Sequence, residues 1–382
     1  MSIFEAALVS ANRSQLAEVS RIRHEPDQGL LQKSILGEFT GPGLNPKTEN
    51  PDESVMSNCA PHSMIPISID EFVEGISVPA DLYLRFGITK FVVLQKAGQK
   101  ASRERLSSYK DKKVNYLWVH KDDYSKISQQ NITLAGLVIN KQTVNLNKKS
   151  TILSAASTSI FTQLEHIGAS AGIFDDAKQI TEATLGLIEN HNRLTQLIES
   201  FSQSNDSFVN HSLAVSVVAV MIGQAMGWEK RVTLEKLSLG GLLHDIGLKT
   251  LPPELLKKPL AEMSYEETQI YETHPYKGMI LLQSLGVVPD DIVSIIYEHQ
   301  ENRIGQGYPQ RIRDVRQHPL GKVVALADQF CYLTMPGVNT PQPRSPREAL
   351  MYIEFTMGQP YNRDVFRALK IVVSGHTLAK TG

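Results

Sequence analysis

The stretch GGLLHDIGLKTLP, Gly240 to Pro252, ends an apolar run on an adjacent histidine and aspartate, His244 and Asp245, with Gly247 two residues later. One reading is local: a histidine near a helix C-terminus is favoured by the helix dipole, and Asp245 is merely solvated. That reading accounts for His244 but not for Asp245, because a carboxylate there lies on the unfavourable side of the dipole. The other reading is a metal site. Neighbouring helical residues diverge by about 100°, so one pair can serve two ions beside the helix, with the imidazole on one and the carboxylate bridging both. Asp245 is then the central catalytic carboxylate, and Gly247 fits a helix C-terminus that needs the left-handed conformation.

Outward from this pair, His211, His274 and His299 also stand near the start or end of predicted helices, and Asp328 completes the set. Any one histidine on an apolar face is ordinarily a core residue or a cap; the adjacent His-Asp pair is what changes the weight. Imidazole and carboxylate donors suit iron, manganese, zinc or nickel, and the absence of cysteine ligands argues against a structural zinc site. The two cysteines, Cys59 and Cys331, make no disulfide framework and fit a reducing interior, with Cys331 expected in the core.

At 382 residues the chain is long enough for two domains. Lys+Arg 39 against Asp+Glu 40 leaves a formal net charge of -1, which argues against a nucleic-acid duplex as partner while allowing a small nucleotide held by local charge and metals. The N-terminus has Glu5 in its first apolar stretch and no basic residue before it, so the expected location is cytoplasmic. The run from Ser212 to Trp228 approaches the length of a membrane span, but its Ser212, Ser216 and Gln224 favour a core helix, with no membrane involved.

The expected architecture is mainly α, an all-helical domain preceded by a small α/β domain. Residues 1–65 read as an N-terminal segment and a Pro/Gly/Asn-rich linker. Residues 66–150 form the small α/β module, with strands in ADLYLRF, KFVVLQ and VNYLWVH and a helix-compatible stretch, SRERLSSYKDKK, between the last two. Residues 151–204 are connecting helices and 205–382 the helical domain. Ile180, Leu187, Ile188, Leu194, Leu197 and Ile198 recur at mostly three- and four-residue steps, which predicts one long helix whose stripe faces the core; a homodimer seam is the alternative.

The ordered motifs NHSLAVS, LLHDIGLKTLP, THPYKG, EHQENRIGQGYP and ALADQF resemble the HD-GYP family of HD-superfamily phosphohydrolases, over roughly residues 200–382. The resemblance implies a metal-dependent phosphodiesterase that opens cyclic di-GMP to pGpG, and further to GMP, in bacterial signalling. It implies two transition-metal ions, iron or manganese, held by His211, His244, Asp245, His274, His299, Gln300 and Asp328. Lys249 and Arg344 are the expected phosphate contacts. Glu301 either orients a ligating histidine from behind or is an ordinary surface charge. The loop with Gly307, Tyr308 and Pro309 either rigidly positions His299 or, as the family implies, meets a protein partner such as a GGDEF-type cyclase.

The chain departs from the family pattern at several places, among them Cys331, which stands where an aspartate often follows ADxF, and the stretch MPGVNTPQPRSP, in which the RPYR-like segment is not recognisable. Gln300 and Ile304 stand where a second histidine and an aspartate are usual, and Leu248 stands where a lysine is usual, with Lys249 one place on. A glutamine carbonyl is a weak neutral ligand, so the metal it serves is expected to bind less tightly. Ser207, where three-metal members carry a glutamate, points to two metals. These departures keep two alternatives open: a weakly active or inactive signalling module, and a phosphohydrolase of another nucleotide.

Overall fold

The structure, a computed structural model, describes residues 56–58 and 63–375 except 73–74, 88, 101–107, 110–111, 113 and 203–205. Cys59, the first 55 residues and most of the stretch SRERLSSYKDKK lie outside the described residues. Strands β1 (Met56–Asn58), β2 (Met64–Ser68), β3 (Leu82–Arg85), β4 (Lys90–Gln95) and β5 (Tyr116–His120) make one antiparallel sheet in the order β1-β4-β3-β5-β2. The three expected strands are present. Strand β1 falls inside the stretch read as linker, and β2 begins at its end; Pro66 hid the latter, being tolerated because β2 is an edge strand. Alternation sends Ile65, Ile67, Leu117 and Val119 into a small core.

Helix α1 (Tyr124–Ile139) joins the two parts. Its Tyr124 and Ile127 belong to the sheet core, while Ile132, Ala135, Val138 and Ile139 belong to the large helical core that continues to Leu369. Helices α2 (Leu146–His166), α3 (Ala171–Asn190), α4 (Leu194–Phe201), α5 (Ser207–Ala225) and α6 (Arg231–Leu243) follow, and then a 3-10 turn at Ile246–Thr250. The rest is α7 (Pro253–Leu256), α8 (Tyr265–Tyr271), α9 (His274–Ser284), α10 (Asp290–Glu298), α11 (Pro319–Thr334), α12 (Pro346–Met351) and α13 (Arg363–Ser374).

Helix α5 is the axis of the bundle, packed by α6, α11 and α13, and is buried from Ser212 through Gly223. By length and composition it is apolar enough to cross a membrane, but 78% of its most apolar window is covered by the protein itself. Asp206 caps it, accepting from the Val209 N–H at 3.1 Å. The stripe expected on one long helix is instead split between α3 and α4. Asn190, His191 and Asn192 are poor helix formers in succession, and the Asn190 amide donates to the Gly186 carbonyl at 2.7 Å, competing with the helix ladder. All six stripe residues are nevertheless buried in the core.

At the junction of sheet and bundle lies Glu71, only 2% exposed. Its carboxyl accepts from the Tyr124 hydroxyl at 3.1 Å, the Ser159 hydroxyl at 3.4 Å and the Ser68 N–H at 3.2 Å. Burial pushes its pKa from 4.5 up to about 8, against the lowering effect of those donors, and Asp206 adds repulsion. Between these two values the folded chain holds a proton that the unfolded chain has lost, so stability falls as pH rises through that window. The loss is of the order of a few kcal/mol. The Glu71→Gln variant is expected to flatten this slope when unfolding midpoints are compared at about pH 5 and about pH 8.5. An unchanged slope in the variant would show that another group carries the pH dependence.

Candidate metal centre

Helix ends deliver the site. His244 is the residue after α6 and Asp245 the next; His274 opens α9; His299 follows α10 and Gln300 comes after it; His211 and Asp328 project from α5 and α11. His244, His274 and His299 are 0–2% exposed and Asp328 is 9% exposed. The structure therefore brings together all seven residues expected at the metals.

One local device recurs three times. Nδ1 of His244 donates to the Gly241 carbonyl at 2.8 Å, that of His274 to the Tyr271 carbonyl at 2.9 Å, and that of His299 to the Ile296 carbonyl at 2.7 Å. Each acceptor lies three residues back, in the last turn of α6, α8 or α10, where a carbonyl has no partner within its helix. The ring thus caps a helix end, and its tautomer is fixed: with the proton on Nδ1, Nε2 keeps an inward lone pair.

Those lone pairs face each other. His274 Nε2 and His299 Nε2 are 3.1 Å apart, and Asp245 Oδ1 is 3.3 Å from both. Three acceptors this close repel one another unless a cation sits among them. Ligands bonded at about 2.1 Å to one ion are separated by about 3.0 to 3.4 Å in octahedral or tetrahedral geometry, so the spacing fits. On the other side of Asp245, its Oδ2 is 3.2 Å from His244 Nε2, and Asp328 Oδ1 is 3.6 Å from His244 Nε2 and 2.9 Å from His211 Nε2. His244 Nε2 and Asp245 Oδ1 are both buried without a hydrogen bond. The short distances around them suit coordination of a cation. The donors fall into three overlapping groups that could hold a metal ion, His211 with His244 and Asp245, His244 with His299 and Asp328, and Asp245 with His274 and His299, so that two of the three share Asp245.

The electrostatics agree. Burial by itself would raise Asp245 and Asp328, but His244 foremost in the first case and His211 in the second hold both well below the carboxylate range. Burial disfavours a charged His244, yet Asp245 and Asp328 outweigh it and raise its pKa well above the ordinary value. A proton and a metal ion would compete for this field.

Several expectations need correction. Gly247 does not have a left-handed conformation. It is required because a Cβ would lie 1.9 Å from the His274 carbonyl oxygen. Glu301, 2% exposed, is neither a surface charge nor behind a histidine: its oxygens accept the Gln310, Arg311 and Ile312 N–H groups at 2.6, 2.9 and 3.1 Å. The loop with Gly307, Tyr308 and Pro309 is not an exposed handle. Gly307 is buried, and the half-buried Tyr308 ring packs edge-on against His274 with centroids 5.9 Å apart, leaving Ile304, Gln306 and Gln310 as exposed loop residues. Lys249 lies 3.4 Å from Glu165 and over the Phe208 ring, and the Arg344 guanidinium stacks on Tyr352. Gln300 donates its amide to Asp328 Oδ2 at 3.0 Å, behaving as a donor to a carboxylate where a ligand was expected. Tyr271 was missed; its carbonyl and its ring, 5.1 Å from the His274 ring, both hold that histidine. Its position three residues before His274 was the available signal. Cys331 is buried, as expected.

In this helical bundle three tautomer-locked imidazoles, a fourth imidazole and two carboxylates converge in an arrangement that could hold metal ions. Residues 187–365 match the family model described as HD domain. It is 30% identical over 161 residues to a protein named cyclic di-GMP phosphodiesterase from Thermotoga maritima, covering 41% of this chain and 42% of that one. It is 25% identical over 155 residues to cyclic di-GMP phosphodiesterase PA4108 from Pseudomonas aeruginosa, covering 41% and 37%. The matches thus span less than half the length of these relatives. Bd1817, a HDG"Y"P protein from Bdellovibrio bacteriovorus, shares the fold with a TM-score of 0.63 at 20% identity, over 81% of this chain and 99% of that one.

Proposed function

We propose that this chain is a metal-dependent phosphodiesterase that opens cyclic di-GMP to pGpG. The observation that carries the reading is the set of His/Asp groups that meet at Asp245, where His244 Nε2 and Asp245 Oδ1 are buried without a hydrogen bond. The names of the two relatives supply the substrate. In this reading His211, His244, Asp245 and Asp328 hold one ion and Asp245, His274 and His299 the other, with iron or manganese suiting the donors. Bound, the two ions would polarise a phosphate oxygen and lower the pKa of a water.

The chain's own part is preorganisation. The backbone carbonyls of Gly241, Tyr271 and Ile296 keep three imidazoles in the ligating tautomer, and Tyr308 walls the His274 side. Lys249 and Arg344 are held by Glu165 and Tyr352, so charge on the substrate phosphates falls mainly to the cations. A second reading, a signalling module with a slow or silent site, draws on Gln300, which brings no imidazole and is turned toward Asp328.

The test is elemental analysis of protein purified without oxygen, paired with cyclic di-GMP turnover on the same sample. Two transition metals per chain with pGpG appearing is the expected result. Metal without turnover of any nucleotide supports the signalling module, turnover of a different nucleotide changes the substrate, and absence of metal overturns the site.

A further inference from the structure

We infer that Gln300 is a positioning residue for Asp328, held in turn by the Gly307–Ile312 loop, and that it is not a metal ligand. The inference rests on the two-cation reading of the site. The Gln300 Nε2 amide faces Asp328 Oδ2 at 3.0 Å and donates to it, while the carboxylate oxygen accepts. Oδ1 of the same carboxylate is turned to His211 at 2.9 Å and His244 at 3.6 Å. The two oxygens thus have separate tasks: one is fixed by Gln300, and the other is presented alone to the gap lined by His211 and His244.

The backbone of Gln300 is itself fixed. Its carbonyl accepts the Tyr308 N–H at 3.2 Å, and Gly307 approaches so closely that a Cβ there would lie 2.3 Å from that carbonyl oxygen and 2.5 Å from Glu301 Cα. The loop end is tied back by Glu301, whose carboxylate accepts the three successive N–H groups of Gln310 to Ile312. A continuous path therefore runs from Glu301 through the loop to the Gln300 backbone, along its side chain, and across to α11. A neutral carboxamide can donate to a carboxylate where an unprotonated imidazole nitrogen, with a lone pair toward the cation, cannot. The loop thereby sets the orientation of a residue on a helix far from it in sequence.

The two possible roles of Gln300 predict opposite signs for one substitution. If the side chain were a ligand, Gln300→Glu would supply a better donor and tighten metal binding. As a positioning donor, Gln300→Glu sets a carboxylate against Asp328 and weakens it. Mn(II) titration of the full chain by calorimetry, with His211→Ala and His274→Ala identifying which binding step belongs to which gap, reads the difference. The expected result is a drop of roughly 10- to 100-fold in affinity at the His211 step for both Gln300→Glu and Gln300→Leu, with the His274 step changed less than about threefold. Gln300→Asn, which retains the amide donor, is expected to recover part of the loss. Thermal melting of the metal-free variants guards against misfolding, since a donor to Asp328 leaves the metal-free fold close to wild type. Tighter binding in Gln300→Glu, or a loss at the His274 step, would overturn the inference. Failure of the wild-type chain to bind Mn(II) at all would instead overturn the two-cation reading.

Discussion

Asp245→Ala is expected to empty both gaps at once. Asp245 Oδ1 stands 3.3 Å from His274 and His299, and Oδ2 stands 3.2 Å from His244, so one carboxylate faces both groups of imidazoles. Without it, neutral nitrogens with opposed lone pairs line the larger part of the site, and the charge that offsets two cations is reduced to Asp328. Metal content should fall from about two ions per chain to near none, and turnover should fall by roughly 10³-fold or more, since polarisation by a bound ion contributes several kcal/mol to such a transition state. His211→Ala is the contrast, because His211 lies on the His244–Asp328 side of Asp245 and belongs to no group with His274, so it should weaken a single binding step. Elemental analysis of the two variants side by side decides the matter: equal losses would remove the bridging role from Asp245. A third variant, Asp245→Asn, keeps the shape and removes the charge, separating the ligand's electrostatic part from its steric one.

The residues expected as donors were picked out in the sequence by the adjacent His244–Asp245 pair and by the order in which His211, His274, His299 and Asp328 stand around it. The bundle was legible for a related reason, since apolar spacing survives in α5 and in the stripe that α3 and α4 divide between them. What fixes the imidazoles was not legible. A ring turned back to a carbonyl three residues earlier depends on side-chain rotation and on where a helix stops, and boundaries are the weakest part of any pattern reading. The break at His191 came from three successive poor helix formers, Asn190, His191 and Asn192, which the apolar stripe on either side outweighed in a pattern reading. Glu301 was read as a surface charge or a support for a histidine because nothing in EHQENRIGQGYP signals that the chain returns to offer it three amides. Edge strand β2 was concealed by Pro66, a residue that demotes a strand in sequence and is harmless at a sheet edge.

Gly247→Ala is expected to be the most disruptive single-methyl change in the site. The added Cβ would lie 1.9 Å from the His274 carbonyl oxygen, 2.7 Å from the Gly278 N and 2.9 Å from the His274 carbonyl carbon. All three are backbone atoms in the first two turns of α9, so no side-chain rotation relieves the clash. The 3-10 turn at Ile246–Thr250 and α9 must separate, which places the cost among the largest for single substitutions, about 4 kcal/mol or more. The displaced element is the one that carries His274, so the 3.1 Å approach of its Nε2 to His299 is lost with it. Stability and metal binding should therefore fall together, with the His274 step failing first. Gly172→Ala is the control: it lies in the first turn of α3, its Cβ would meet only the Ser170 hydroxyl at 3.8 Å, and it is expected to be neutral or stabilising by about 0.5–1 kcal/mol. Denaturant unfolding of the metal-free proteins and Mn(II) titration measure the two effects separately. A Gly247→Ala protein with the wild-type midpoint and full metal content would mean that the turn and α9 are not wedged together as the geometry requires.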